Sequence, residues 1–136
     1  MASFSTIVNA SLNKVWEHLL YKIEHPEAFV PGVSDVIILD KNDDFVMRQM
    51  TITMNDSATK VIEKITASPF RIRFELVEHP KFEGFVDNEA VPISDNETQI
   101  TYTMHWIDKH TKVAFDNPEG MKNAVLKTKD YIETNL

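Results

Sequence analysis

The most unusual residue in this sequence is an arginine, Arg48, in the middle of an apolar strand pattern. In the stretch FVMRQMTITM, residues 45–54, side chains alternate between two faces, and the even positions form the more apolar face. Arg48 lies on that face, so the pattern predicts that it points inward. Because an isolated charge in an apolar interior costs several kcal/mol, Arg48 needs a partner there.

The next predicted strand offers an acidic partner, Glu63. In the stretch ATKVIEKITA, residues 58–67, it shares a face with aliphatic side chains. A turn centred on residues 55–57 would place Arg48 opposite residue 64, with Glu63 beside it. Two interpretations are open. In the first, Arg48 and Glu63 satisfy each other, or a bulge turns the arginine outward. In the second, the pair lines a cavity where the guanidinium donates to a carboxylate, carbonyl or phenolate of a ligand.

Aromatic and methionine side chains on the predicted inner faces would supply apolar walls. They are Met50, Phe70, Phe74, Tyr102, Met104, Trp106 and Met121, together with Val125 on the last predicted helix. A packed core would explain these residues without a ligand. However, the six methionines in 136 residues provide adaptable surface suited to varied apolar shapes. Tyr102 and Trp106 also carry an O–H and an N–H group, which buried sites normally bond to a partner.

Other kinds of chemistry find little support in the residue types. The five histidines show no HExxH spacing, so we expect no metal site, and the absence of cysteine excludes thiolate chemistry. A GxSxG motif is missing, and three glycines are too few for a phosphate-binding loop, so we expect no cofactor. His79 could be a general base at a cavity rim, although a turn histidine is usually structural.

The composition is that of one globular domain, residues 1–136, with 43% hydrophobic and 26% charged residues. A net charge of −7 argues against nucleic acid and against an anionic membrane surface as partners. No stretch approaches a transmembrane span, and the start of the chain does not resemble a signal peptide. We therefore expect a cytoplasmic protein, whose oligomeric state the sequence leaves open.

The elements that must position these residues follow from the hydrophobic period. Ser11 is a predicted N-cap for a helix over 11–24, and residues 25–33 have room for one short helical turn. Asn117 and Pro118 predict the start of a long C-terminal helix. The predicted strands are residues 3–9, 34–40, 45–54, 58–67, 70–79, 82–93 and 98–108.

Short turns between consecutive strands predict antiparallel pairing, because parallel pairing needs long crossovers. One long helix laid on such a sheet gives an α+β fold. Gly84, inside a predicted strand, suggests a bulge or a close approach of two backbones.

This order of elements resembles the START-like helix-grip superfamily, SRPBCC, to which the birch-pollen allergens belong. The resemblance rests on VNASLNKVWEHL, then PEAFVPGV, then the strand meander and the last helix. Within the superfamily the chain is similar to the AtaL-like subfamily. The residues that carry this similarity are Val15-Trp16, Pro26-Glu27, Phe29, Arg48-Gln49-Met50, Glu63 and the HPKFEG turn at 79–84.

The residue pattern predicts two short helices after strand 1, and the resemblance implies a seven-stranded antiparallel sheet wrapped around the C-terminal helix, with an apolar cavity between them. Members include lipid and hormone carriers as well as polyketide cyclases and aromatases, so the fold does not choose between binding and catalysis. The expected function is binding of a small hydrophobic molecule that carries a polar group, with Arg48 and Glu63 as the polar anchor.

Two alternatives remain open. In a cyclase-, aromatase- or dehydratase-like enzyme, Arg48 would stabilise an enolate, and Glu63 or Tyr102 would move a proton. A tightly closed Arg48–Glu63 pair would speak against that enzyme. The other alternative is a protein-interaction module whose core is filled and which has no cavity.

Overall fold

The computed structural model describes residues 2–136, and in it one antiparallel sheet curves past two helices. The strands are β1 Ala2–Val8, β2 Val33–Lys41, β3 Val46–Met54, β4 Ser57–Ser68, β5 Arg71–Glu78, β6 Phe82–Ser94, β7 Glu97–Asp108 and β8 Ala114–Phe115. The helices are α1 Leu12–Glu24 and α2 Pro118–Thr134. The strand order is β1-β7-β6-β5-β4-β3-β2, and β8 pairs with β7.

The predicted α+β class and the antiparallel meander are confirmed, with two differences in detail. The sheet has an eighth strand, the two-residue β8, which follows the turn after β7. Two short helices were expected after β1. The structure has one 13-residue helix, α1, followed by a single 3-10 turn, Pro26–Ala28. The four residues between Pro26 and Pro31 leave room for only one such turn.

Both helices begin where the capping residues predict. The Ser11 hydroxyl accepts a hydrogen bond from the Lys14 backbone N–H, and the Asn117 side chain accepts one from the Gly120 N–H. Pro118 occupies the first position of α2, where its missing N–H costs nothing. The buried stripe of α2 consists of Met121, Ala124, Val125, Thr128 and Ile132, as its helical spacing predicts.

The hairpin between β3 and β4 fixes the register of the arginine strand. Asn55 and Asp56 form a two-residue turn with φ angles of 50° and 65°, the left-handed values of a type I′ turn. Ser57 is therefore the first residue of β4, and Arg48 pairs directly with Glu63. The predicted three-residue turn was wrong by one residue, because Asn and Asp tolerate the left-handed region without a glycine.

Gly84 in β6 confirms the predicted close approach of two backbones. Its φ is +117°, and it pairs with Trp106 on β7. A Cβ at this position would lie 1.9 Å from the backbone oxygen of His105. Any larger residue would therefore push β6 away from β7 beside the Trp106 side chain.

Candidate functional site

A cavity of about 480 Å³ lies between the sheet and the two helices. This volume is within the range of small-molecule sites, roughly 300–1,000 Å³. Its apolar walls include Met50, Phe74, Val86, Tyr102, Met104, Trp106, Phe115, Met121 and Ala124. Its exposed lining residues are Pro31, Gly32, Thr53, Met54, Asn55, Glu119 and Asn123, so the cavity opens between the β3–β4 hairpin and the start of α2.

The structure brings eight of the ten predicted site residues to the cavity, and the other two lie elsewhere. Phe70 and Val125 are not among the residues within 2–136 that line the cavity. Phe70 precedes β5 and so does not continue its alternation; its ring lies 5.5 Å from that of Trp16, edge to face. Val125 is fully buried in the core, and Ala124 takes the cavity position, since successive helix positions are rotated by about 100°.

Arg48 and Glu63 form a closed ion pair at the cavity. Arg48 Nη2 lies 2.7 Å from Glu63 Oε1, and the two side chains are 3% and 6% exposed. Arg48 Nη1 donates to the backbone oxygen of Ile23 at 2.8 Å. The two residues therefore satisfy each other and also line the cavity, and donation to a ligand stays a prediction. The alternative that a bulge turns Arg48 outward is wrong.

Lys22 on α1 and its partner Asn88 on β6 are the buried polar cavity residues that the sequence reasoning missed. Lys22 is 5% exposed and lines the cavity, and its Nζ donates to Asn88 Oδ1. The same Nζ lies 4.6 Å from the ring centroid of Phe74 and 4.5 Å from that of Tyr102. Burial, followed by the charge of Arg48, lowers the pKa of Lys22 to about 7, although Glu63 acts in the opposite direction.

A signal for Lys22 was present in the sequence. Val15, Leu19 and Lys22 follow one another at helical spacings of four and three, so the lysine lies on the buried stripe of α1. We refer below to Lys22, Arg48, Glu63 and Asn88 as the polar cluster.

Tyr102 is buried, and its hydroxyl is already bonded. It lies 2.7 Å from the Thr128 hydroxyl on α2, and that hydroxyl donates in turn to the Ala124 backbone oxygen at 2.8 Å. Burial raises the pKa of Tyr102, while the hydrogen bond to Thr128 opposes this rise. The phenol is therefore poorly suited to the proton transfer considered above.

His79 is a buried part of the turn before β6 and does not belong to the cavity lining within the described chain. Its Nδ1 accepts the backbone N–H groups of Lys81 and Phe82 at 3.0 and 3.1 Å. Burial, with the charge of Lys109 second, lowers the pKa of His79. A neutral ring fixed by two backbone donors indicates a structural role, and the ring packs 5.4 Å from that of Trp106.

Three buried N–H donors on cavity-lining side chains have no hydrogen-bond partner within residues 2–136. They are Arg48 Nε, Asn88 Nδ2 and Trp106 Nε1. Residues 2–136 also contain no group of three or more His, Asp or Glu side chains placed to hold a metal ion. None of the helices in this part of the chain is both long and apolar enough to cross a membrane.

Comparison with solved structures places this geometry in a known fold. The Zhui aromatase/cyclase from Streptomyces sp. R1128 is similar with a TM-score of 0.72 at 16% identity, covering 98% of this chain and 88% of that one. A START superfamily protein from Mycobacterium smegmatis has a TM-score of 0.67 at 16% identity over 98% and 94%. Major latex-like protein 151 from Panax ginseng has a TM-score of 0.72 at 13% identity over 98% and 94%.

These identities are low, so the similarities establish the START-like helix-grip fold alone. No curated protein sequence matches the chain. A family profile does match, over residues 6–134, and its description is acetylaranotin biosynthesis cluster protein L. The match covers nearly the whole chain, so this protein belongs to the AtaL family.

Proposed function

We propose that this protein binds a small, mostly apolar molecule that carries at least one hydrogen-bond acceptor, in the cavity between sheet and helices. The apolar walls would supply affinity, at roughly 25 cal/mol per Å² of apolar surface removed from water. The polar cluster would fix the orientation of the ligand. A cavity of about 480 Å³ also argues against the interaction module with a filled core.

The observation that carries this proposal is the set of unpartnered donors, Arg48 Nε, Asn88 Nδ2 and Trp106 Nε1. Each belongs to a side chain that is less than 9% exposed and lines the cavity. A buried donor without an acceptor costs about 1–3 kcal/mol, and folded proteins rarely leave several in one place. These donor atoms are almost inaccessible in the empty cavity, so acceptor atoms on a bound molecule would remove this cost after a small shift of the side chains.

Native mass spectrometry of the protein purified from its own host tests the proposal. We expect an additional mass that leaves on collisional activation. Ala124→Phe, which fills the cavity from α2, should lose this mass, whereas Ala67→Phe at an exposed position of β4 should keep it. Retention of the mass by the Ala124→Phe variant would place the bound molecule outside the cavity and contradict the proposal.

A cyclase-like enzyme is the second candidate, in a form different from the one the sequence suggested. Glu63 is bonded to Arg48, and the Tyr102 hydroxyl is bonded to Thr128, so neither is a free acid or base. Lys22, whose pKa is lowered to about 7 by burial, would instead take a proton from a carbon between two carbonyl groups. Arg48 would then stabilise the enolate.

Proton exchange in decane-2,4-dione provides a test of this second candidate. The protein should accelerate exchange of the central methylene protons in D₂O, as followed by NMR. Lys22→Met should abolish the acceleration, and Lys14→Met, at an exposed position of the same helix, should keep it. An equal rate with both variants would exclude Lys22 as the base.

A further inference from the structure

The buried charges of the cavity lining do not balance. Lys22 and Arg48 are cationic when protonated, and both are at most 5% exposed. Glu63 is the one buried carboxylate among the described lining residues, and it is already bonded to Arg48. The other lining carboxylate, Glu119 at the start of α2, is exposed to solvent. When Lys22 is protonated, the cavity therefore lacks one negative charge.

The unpartnered hydrogen-bond donors occur in the same place as the missing charge. Asn88 accepts from Lys22 through Oδ1, which leaves its Nδ2 without a partner, and Arg48 retains a free Nε. Arg48 and Lys22 both lie over the ring of Phe74, at 5.2 and 4.6 Å from its centroid. One group with a single negative charge and two acceptor oxygens would satisfy all three side chains.

We propose that the polar group of the ligand is a carboxylate, held by Lys22, Arg48 and Asn88, and that its binding keeps Lys22 protonated. This inference rests on the proposed function, because it specifies which molecule the cavity accepts. A long-chain alcohol or an ester would fill the same walls but would leave the extra cation without a counter-charge. The site should therefore prefer an apolar acid to its neutral analogues.

The preference should depend on pH through Lys22. The groups that face this amine are Arg48 on β3, Glu63 on β4, Asn88 on β6 and Tyr102 on β7. In the empty cavity the pKa of the amine is about 7, so above that pH most molecules hold a neutral lysine. A bound carboxylate raises the pKa, and binding above pH 7 then takes up a proton.

Isothermal titration calorimetry with decanoate, 1-decanol and methyl decanoate tests the inference. At pH 6.5 decanoate should bind at least tenfold more tightly than either neutral probe. Between pH 7.5 and 9 its affinity should fall by roughly tenfold per pH unit, while that of the neutral probes stays constant. Paired titrations in buffers of different ionisation enthalpy at pH 8.5 should detect uptake of about one proton per decanoate bound.

Two matched variants show whether Lys22 is responsible. Lys22→Met should reduce the affinity for decanoate at pH 6.5 to that for 1-decanol and abolish proton uptake. Binding of 1-decanol by this variant also shows that its cavity remains folded. Lys14→Met, on the exposed face of the same helix, should behave like the unchanged protein.

The two proposals fail in different ways. If decanoate and the neutral probes bind within twofold of each other, or if Lys22→Met leaves the preference intact, the carboxylate inference is wrong and cavity binding stands. If none of the three probes binds to the unchanged protein at any of these pH values, both proposals are overturned.

Discussion

Two arginine–carboxylate pairs join neighbouring strands of this sheet, and they differ in how many arginine nitrogens bond to the carboxylate. Arg73 on β5 and Asp87 on β6 are direct register partners, and Arg73 uses both Nε and Nη2, at 2.9 and 3.0 Å, on the two oxygens of Asp87. Arg48 and Glu63 are also direct partners, but a single nitrogen joins them and Arg48 Nε remains unpaired.

This difference indicates that Arg73–Asp87 is a structural pair, whereas Arg48 in the other pair retains a donor for a further partner. The Arg73 side chain is 39% exposed and its guanidinium stacks 3.9 Å from the ring centroid of Phe85, so water can reach the donors that Asp87 does not bond. Arg48 is nearly inaccessible to water, and water cannot readily satisfy its remaining donor. A buried ion pair is weak evidence for a gain in stability, so an incompletely bonded one fits a binding role better.

The largest expected effect comes from removing the acid of the cavity pair. Glu63→Gln should lower the free energy of unfolding by about 3–5 kcal/mol, because Arg48 and Lys22 would lose the one buried counter-charge in the described lining. Urea unfolding at pH 7 measures this loss, with Glu75→Gln at an exposed position of β5 as the control. A loss below 1 kcal/mol would show that water reaches the pair.

The next effect is a pH dependence of stability caused by Lys22. Its folded pKa, about 7, lies below the unfolded value of 10.5, so between these values the unfolded chain binds more protons. The unchanged protein should therefore gain stability relative to Lys22→Met as the pH rises from 7 to 10, by about 4 kcal/mol at most. Parallel stability curves for the two proteins would indicate an ordinary, hydrated lysine.

His79, a buried residue whose Nδ1 accepts two backbone N–H groups, should produce a smaller effect. Its folded pKa is lowered, so stability should fall as the pH drops below 6.5, when the unfolded chain takes up a proton first. Thermal unfolding from pH 7 to 5 should show a loss of stability that is absent in His79→Gln. The same slope in both proteins would assign the acid sensitivity to other groups.

The smallest effect should come from the Arg73–Asp87 pair, whose arginine is the exposed partner. Asp87→Asn should cost about 0.5–1 kcal/mol, because Arg73 can bond to water when its partner is lost. The cost should shrink in 1 M salt, whereas the cost of Glu63→Gln should not. If Asp87→Asn and Glu63→Gln were equally damaging, the proposed distinction between the two pairs would fail.

Much of the site was predictable from local patterns. Strand alternation placed Arg48 and Glu63 on inner faces, and turn chemistry limited the error in their register to one residue. The same alternation predicted that Phe74, Tyr102 and Trp106 face inward, and in the structure all three line the cavity. It failed for Phe70 because that residue precedes its strand, where the period of two no longer applies.

The sequence by itself determined which residues face inward, because side-chain direction in strands and helices depends only on neighbouring positions along the chain. The tertiary structure alone decided which residues these inward-facing side chains contact. The Lys22–Asn88 and Tyr102–Thr128 contacts join residues 66 and 26 positions apart. A lysine on a helix stripe usually extends its amine to water. Only the packing of α1 over the inner face of the sheet encloses this amine beside Arg48.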